Sequence, residues 1–146
     1  MVKKTLTGTL RVALAPSRAF RLFTAVGERD WVHGWNPHFP VPAADDAEPG
    51  TVFETEADGH HGTWLVVDRD GDRGIRYARV VAGRDAGTVT VRLEPSDDHS
   101  VVTVTYDLTA LSRDGADWLQ RFAAGYPAFL ASWADAIERH LATLPG

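Results

Sequence analysis

The chain contains no cysteine among its 146 residues. Disulfides, thiolate nucleophiles and cysteine-ligated zinc are thereby excluded together. A positive charge excess is missing as well: 15 basic against 20 acidic side chains give a formal net charge of −5. Binding to a phosphate backbone ordinarily calls for a clustered basic face, so no nucleic-acid partner is expected. No apolar run approaches the ~20 residues of a membrane-spanning helix, and no transmembrane segment is expected. The opening residues, Met1-Val2-Lys3-Lys4-Thr5, lack the apolar core of a secretory signal, which makes the cytoplasm the expected location.

What remains is an ordinary globular composition, 44% hydrophobic and 24% charged. The length suits a single domain spanning 1–146. A chain of this size buries roughly 70% of the surface it exposes when unfolded, enough for a full core.

Residues 4–14 alternate, with Leu6, Gly8, Leu10, Val12 and Leu14 on one side and Thr5, Thr7, Thr9 and Arg11 on the other. That period of two predicts a half-buried strand. Pro16 suits a first helical turn, Phe20, Leu22 and Phe23 give a short apolar face, and Gly27 ends it. A second short helix is predicted around Glu28–Val32. The proline-rich stretch 36–50 reads as a long irregular loop.

Five further strands are predicted at 51–57, 62–69, 73–81, 86–94 and 100–109. Turn signals at Asp58-Gly59, Asp70-Gly71, Gly83 and Ser96-Asp97-Asp98 separate them. Connections this short imply an antiparallel meander, because parallel neighbours need long crossovers. Residues 114–143 then carry Leu119, Phe122, Tyr126, Phe129, Leu130, Trp133, Ile137 and Leu141 at three- and four-residue steps. This is the stripe of an amphipathic helix, about 45 Å long at 1.5 Å per residue, with a kink expected at Pro127.

One sheet of about six strands and one long helix bury their apolar faces best when the sheet curls around the helix. A curled sheet against a rod leaves a space that large side chains must reach. Trp64, Tyr77, Tyr106, Phe122, Tyr126 and Phe129 are the expected lining of that space, with Trp31 and Trp35 at its mouth. Rings with polar tips suit a site that holds an apolar molecule and orients it with a few hydrogen bonds. The alternative is that these aromatics complete a solid core.

The strand ending at Ala15-Pro16-Ser17 is followed by Phe20-Arg21-Leu22-Phe23, by Glu28-Arg29-Asp30-Trp31 with Trp35-Asn36-Pro37, and by Pro49-Gly50 before a strand. Together with the final helix carrying Trp133 and Ile137, this order resembles the START-related, birch-pollen-allergen-like (SRPBCC) superfamily. The resemblance covers nearly the whole chain, although each motif is short and degenerate. It implies an α+β helix-grip fold in β-α-α-β6-α order, with a cavity between sheet and C-terminal helix. Members include lipid and sterol carriers, polyketide cyclases and chaperone activators, so it implies a cavity more firmly than a reaction.

Candidate chemistry is sparse. The six histidines show no HExxH and no two-His-one-carboxylate spacing, so no metal and no cofactor are expected. The run Asp68, Asp70 and Asp72 lacks the terminal glutamate of a calcium loop. No serine lies in a nucleophile elbow, and Gly71-Asp72-Arg73-Gly74 lacks the context of a phosphate loop. Arg79 shares parity with Ile75 and Tyr77 and is expected to point inward, where it needs a carboxylate or an anionic ligand. A Glu54–Arg79 pair and His61 near Trp64 are therefore the candidate acid–base groups, against the alternative of solvated strand charges.

The function expected is binding of a small hydrophobic, aromatic or lipid-like molecule in the cavity. Two alternatives are a polyketide cyclase or aromatase in which Glu54, His61 or Arg79 assists proton transfer, and an interaction module using the outside of the fold. Ligand identity and oligomeric state are not legible.

Overall fold

The structure, a computed structural model, describes residues 2–57 and 59–145. Asp58, expected to share a turn with Gly59, lies outside the described residues. The order is β1 (Lys3–Val12), α1 (Pro16–Ala19), two 3-10 turns (Phe20–Phe23 and Gly27–Asp30), β2 (Val52–Ala57), β3 (His60–Asp70), β4 (Gly74–Val81), β5 (Asp85–Ser96), β6 (His99–Ala110), α2 (Arg113–Ala124) and α3 (Tyr126–Ala142). This is an α+β helix-grip fold. All strands form one six-stranded sheet in the order β1-β6-β5-β4-β3-β2. Every neighbouring pair is antiparallel, so β1 crosses over to close on β6 while the rest is the expected meander.

Burial follows the alternation. In β6, Val102, Val104, Tyr106 and Leu108 face the core, and in β1 the inner positions are Leu6, Gly8, Leu10 and Val12. Phe20 and Phe23 from the first turns, Phe53 from β2 and Leu119 and Ile137 from the helices complete a single core. Gly8 allows close approach of the C-terminal helix. A Cβ there would stand 2.5 Å from Leu130 Cδ1 of α3.

The C-terminal rod is two helices rather than one kinked helix. The break falls at Gly125, and Pro127 sits in the first turn of α3, where a missing N–H costs nothing. The Gly125 N–H closes α2 on the Arg121 carbonyl at 3.0 Å. Loop 36–50 is tied down. His38 and Glu54 exchange backbone bonds, Asp46 accepts from the Val26 N–H at 2.8 Å, and Asp45 pairs with Arg69 at 2.9 Å. Among the described residues no helix is long and apolar enough to cross a membrane.

Candidate functional site

Between the concave sheet face and the C-terminal helices lies a cavity of about 250 Å³. Two cross-strand rows build its floor. In one, Val66, Tyr77, Val89 and Tyr106 stand side by side across β3, β4, β5 and β6. In the next, Phe53, Trp64, Arg79 and Gly87 follow one another across β2, β3, β4 and β5. Period-two alternation puts both rows on the same face, so their side chains converge. Phe53 stacks on Trp64 at 5.6 Å, and Tyr77 meets both rings edge-on at 5.9 Å. Phe129 and Trp133 of α3 and Trp118 of α2 close the other side. Ala57 and His60, exposed at the β2–β3 turn, mark where the cavity meets solvent.

The N-terminus of α2 is fastened to the β4–β5 turn, and this holds Trp118 in place. Ser112 Oγ accepts from the Gly115 N–H at 2.9 Å and donates to the Gly83 carbonyl at 2.5 Å. The Leu111 N–H bonds the Arg84 carbonyl at 3.0 Å. Gly115 is packed so closely that a Cβ would fall 2.0 Å from that same carbonyl oxygen. The result lays the Arg84 guanidinium on the Trp118 ring, 3.8 Å from its centroid.

Asp85 is the charged centre of this wall. It is completely buried, accepting from Arg79 Nη2 at 2.6 Å through one oxygen and from Arg84 Nε at 2.8 Å through the other. Arg79 lies directly opposite Gly87 in the register and reaches diagonally to Asp85. Its guanidinium is also 5.6–5.8 Å from the rings of Trp64, Tyr106 and Trp118.

The expected Glu54–Arg79 pair does not form. Phe53 and Thr55 face inward on β2, so Glu54 and Glu56 fall on the outer face with Val52. There Glu54 contacts His61 at 2.8 Å and Glu56 contacts it at 2.5 Å. His61 is therefore outside the cavity that Trp64 lines. The hydrogen bond His61 donates to Glu56, aided by both carboxylate charges, raises the His61 pKa from its ordinary value.

Of the aromatics expected to line the space, Trp35, Trp64, Tyr77, Tyr106 and Phe129 do so, and Trp133 joins them. Three others are structural. Trp31 is buried against Phe23 and Trp133, its indole N–H donating to the Leu22 carbonyl at 2.8 Å. Phe122 stacks on Trp118 at 5.0 Å, behind Tyr106. Tyr126 turns toward Gly8 of β1 and donates to the Val104 carbonyl at 2.7 Å.

Glu28 reaches the cavity without a signal in the sequence beyond its place in a short turn. Its carboxyl makes no hydrogen bond to any described residue, and burial followed by repulsion from Asp46 pushes its pKa well above the usual carboxylate range. Tyr77 and Tyr106 are also pushed upward by burial and keep their protons. Tyr77 spends its proton on the Phe23 carbonyl at 2.7 Å. Tyr106 has no hydrogen-bond partner among the described residues. No group of three metal-ligating side chains occurs among them either.

Neither a family model nor a curated protein matches the chain in sequence. Solved structures do match in fold. A Mesorhizobium loti protein superposes with a TM-score of 0.69 at 17% identity, over 93% of this chain and 98% of that one. A Rhizobium loti protein gives 0.64 at 22% identity, over 92% and 97%. Norcoclaurine synthase from Thalictrum flavum, in complex with dopamine and hydroxybenzaldehyde, gives 0.69 at 16% identity, over 99% and 90%. With the six-stranded sheet and the C-terminal helices, these likenesses establish that the chain has the birch-pollen-allergen-like, SRPBCC-type helix-grip fold.

Proposed function

We propose that the protein binds a small hydrophobic or aromatic molecule in the cavity between the sheet and the C-terminal helices. The observation that carries this reading is an aromatic-lined space of about 250 Å³. An apolar cavity of roughly 150 Å³ already accepts benzene, and drug-sized sites run to roughly 300–1,000 Å³. The space therefore suits one ring with short substituents better than a sterol or a full lipid tail. The fold relative from Thalictrum flavum was solved with two single-ring molecules, which is in keeping with that size.

Native mass spectrometry of protein purified from its own source tests the reading. A retained small aromatic supports it. Protein that carries nothing, and whose tryptophan emission ignores single-ring probes, contradicts it.

A catalytic reading has one specific observation in its favour. Glu28 and Tyr106 line the cavity, and neither the carboxyl nor the hydroxyl has a hydrogen-bond partner among the described residues, as an acid–base group and an oxygen-orienting donor would require. On this reading the proton-transfer role falls to Glu28 rather than to Glu54 or His61. Glu28→Gln would then abolish turnover while retaining ligand affinity. Equal turnover in the variant removes Glu28 from the chemistry.

A further inference from the structure

The cavity wall carries an unbalanced positive charge. Asp85 has one negative charge and two oxygens, and Arg79 and Arg84 each take one oxygen. Two guanidiniums against one carboxylate leave a formal surplus of one positive charge at a wall made of rings. Glu28 does not cancel it. Its carboxyl bonds neither guanidinium, and its pKa is displaced upward, whereas an adjacent guanidinium would draw it down. The rings of Trp64, Tyr106 and Trp118 around Arg79 offset part of the burial cost through their negative faces, without replacing a hydrogen-bond acceptor.

Unspent donors stand at the same place. Arg79 is only 7% exposed, and of its nitrogens Nη2 alone is bonded among the described residues. Its Nε is buried without a partner among the described residues. The Tyr106 ring lies 5.8 Å from the same guanidinium, and its hydroxyl, kept protonated by burial of the ring, donates to no described residue and is free to bond a ligand. A buried donor without an acceptor, such as Arg79 Nε, is costly, so the site is complete only when something supplies one. An anionic oxygen meets both demands at once, since it accepts hydrogen bonds and neutralises the surplus charge.

We infer that the ligand is an aromatic acid: one ring held among the cavity's aromatic side chains, with a carboxylate or similarly acidic oxygen against Arg79 and the Tyr106 hydroxyl. This rests on the ligand-binding reading above and narrows its chemical class.

The test compares benzoate with benzamide, which differ little in shape but by one charge, and adds toluene as an apolar control. Tryptophan emission or calorimetry reads the affinities on the whole chain. Benzoate is expected to bind at least about tenfold more tightly than benzamide, and the preference is expected to survive added salt, which screens surface attraction but not a buried pair. In Arg84→Gln, Arg79 and Asp85 form a closed neutral pair, and the ratio is expected to fall toward one. Benzamide binding as tightly as benzoate overturns the acid proposal and leaves the cavity reading standing. Failure of all three probes overturns both. The comparison on the unaltered protein decides the matter even where the variant does not fold.

Discussion

Tyr106 and Tyr126 face each other across the core with ring centroids 5.9 Å apart, yet among the described residues only Tyr126 has an acceptor for its hydroxyl. Both come from elements whose sequence pattern points inward, and both are buried. The difference lies in what each meets. Tyr126 reaches the Val104 carbonyl of β6, whereas Tyr106 opens onto the cavity. Tyr126→Phe should therefore cost about 1 kcal/mol of stability and leave ligand affinity untouched, because a buried carbonyl loses its donor. Tyr106→Phe should hold stability within about 0.5 kcal/mol and weaken binding of an oxygen-bearing ligand. Urea denaturation and a ligand titration on both variants separate the two roles. Equal effects in the two would erase the distinction.

Asp85→Asn tests the buried charge cluster. Removing the carboxylate leaves Arg79 and Arg84 facing each other without a counter-charge, at an expected cost of about 3–5 kcal/mol. The midpoint of chemical denaturation reads this directly. A loss below about 1 kcal/mol would mean that the guanidiniums find another partner.

Gly115→Ala should destabilise, contrary to helix propensity. Alanine ordinarily favours a helix over glycine by about 1 kcal/mol. Here the new methyl meets the Arg84 carbonyl oxygen 2.0 Å away, and backbone cannot yield as a side chain can. A net loss of about 1–3 kcal/mol is expected, along with a change in Trp118 emission as α2 lifts from the turn. A stabilised variant would show that the turn adapts.

Glu28 sets a pH dependence. Its pKa is raised in the folded state, so the folded protein binds the proton more tightly than the unfolded chain does. Stability contributed by this group is present at low pH, where the carboxyl is neutral. It declines as pH climbs from the ordinary glutamate range through the raised value. Glu28→Gln mimics the neutral form, so it should raise Tm by about 2–4 °C for each kcal/mol relieved at neutral pH. It should change Tm little at mildly acidic pH. A shift of equal size at both pH values would place the carboxyl in solvent.

The fold was legible because its signals are long. Ten or more alternating positions in β1 and β6 fix the face of each strand, and the stripe from Leu119 to Leu141 fixes the gripping helix. The cavity floor was partly legible for the same reason, since Trp64, Tyr77, Arg79 and Tyr106 all follow from parity within their strands. Pairing between strands was not. Parity in β2 already set Glu54 beside exposed Val52, but only the register across β3 shows that Arg79 stands on the opposite face. Asp85 escaped because it follows a turn, where an acidic residue ordinarily means solvent. Glu28 escaped because a four-residue 3-10 turn has too little periodicity to announce a direction. Tyr126 and Phe122 share the helix stripe with Phe129. Which of them meets the open space depends on how deeply α3 sinks against Gly8, a tertiary distance that spacing does not encode.

The central claim is an unfilled interior that takes a single ring, and the indole N–H signals of Trp64, Trp118 and Trp31 in an NMR titration test it most directly. With benzoate as probe, the Trp64 and Trp118 signals, whose rings line the cavity, should move and saturate. The Trp31 signal, bonded to the Leu22 carbonyl and outside the wall, should move least. Signals that stay fixed at millimolar probe, or drift together without saturating, would mean that the interior admits no ring.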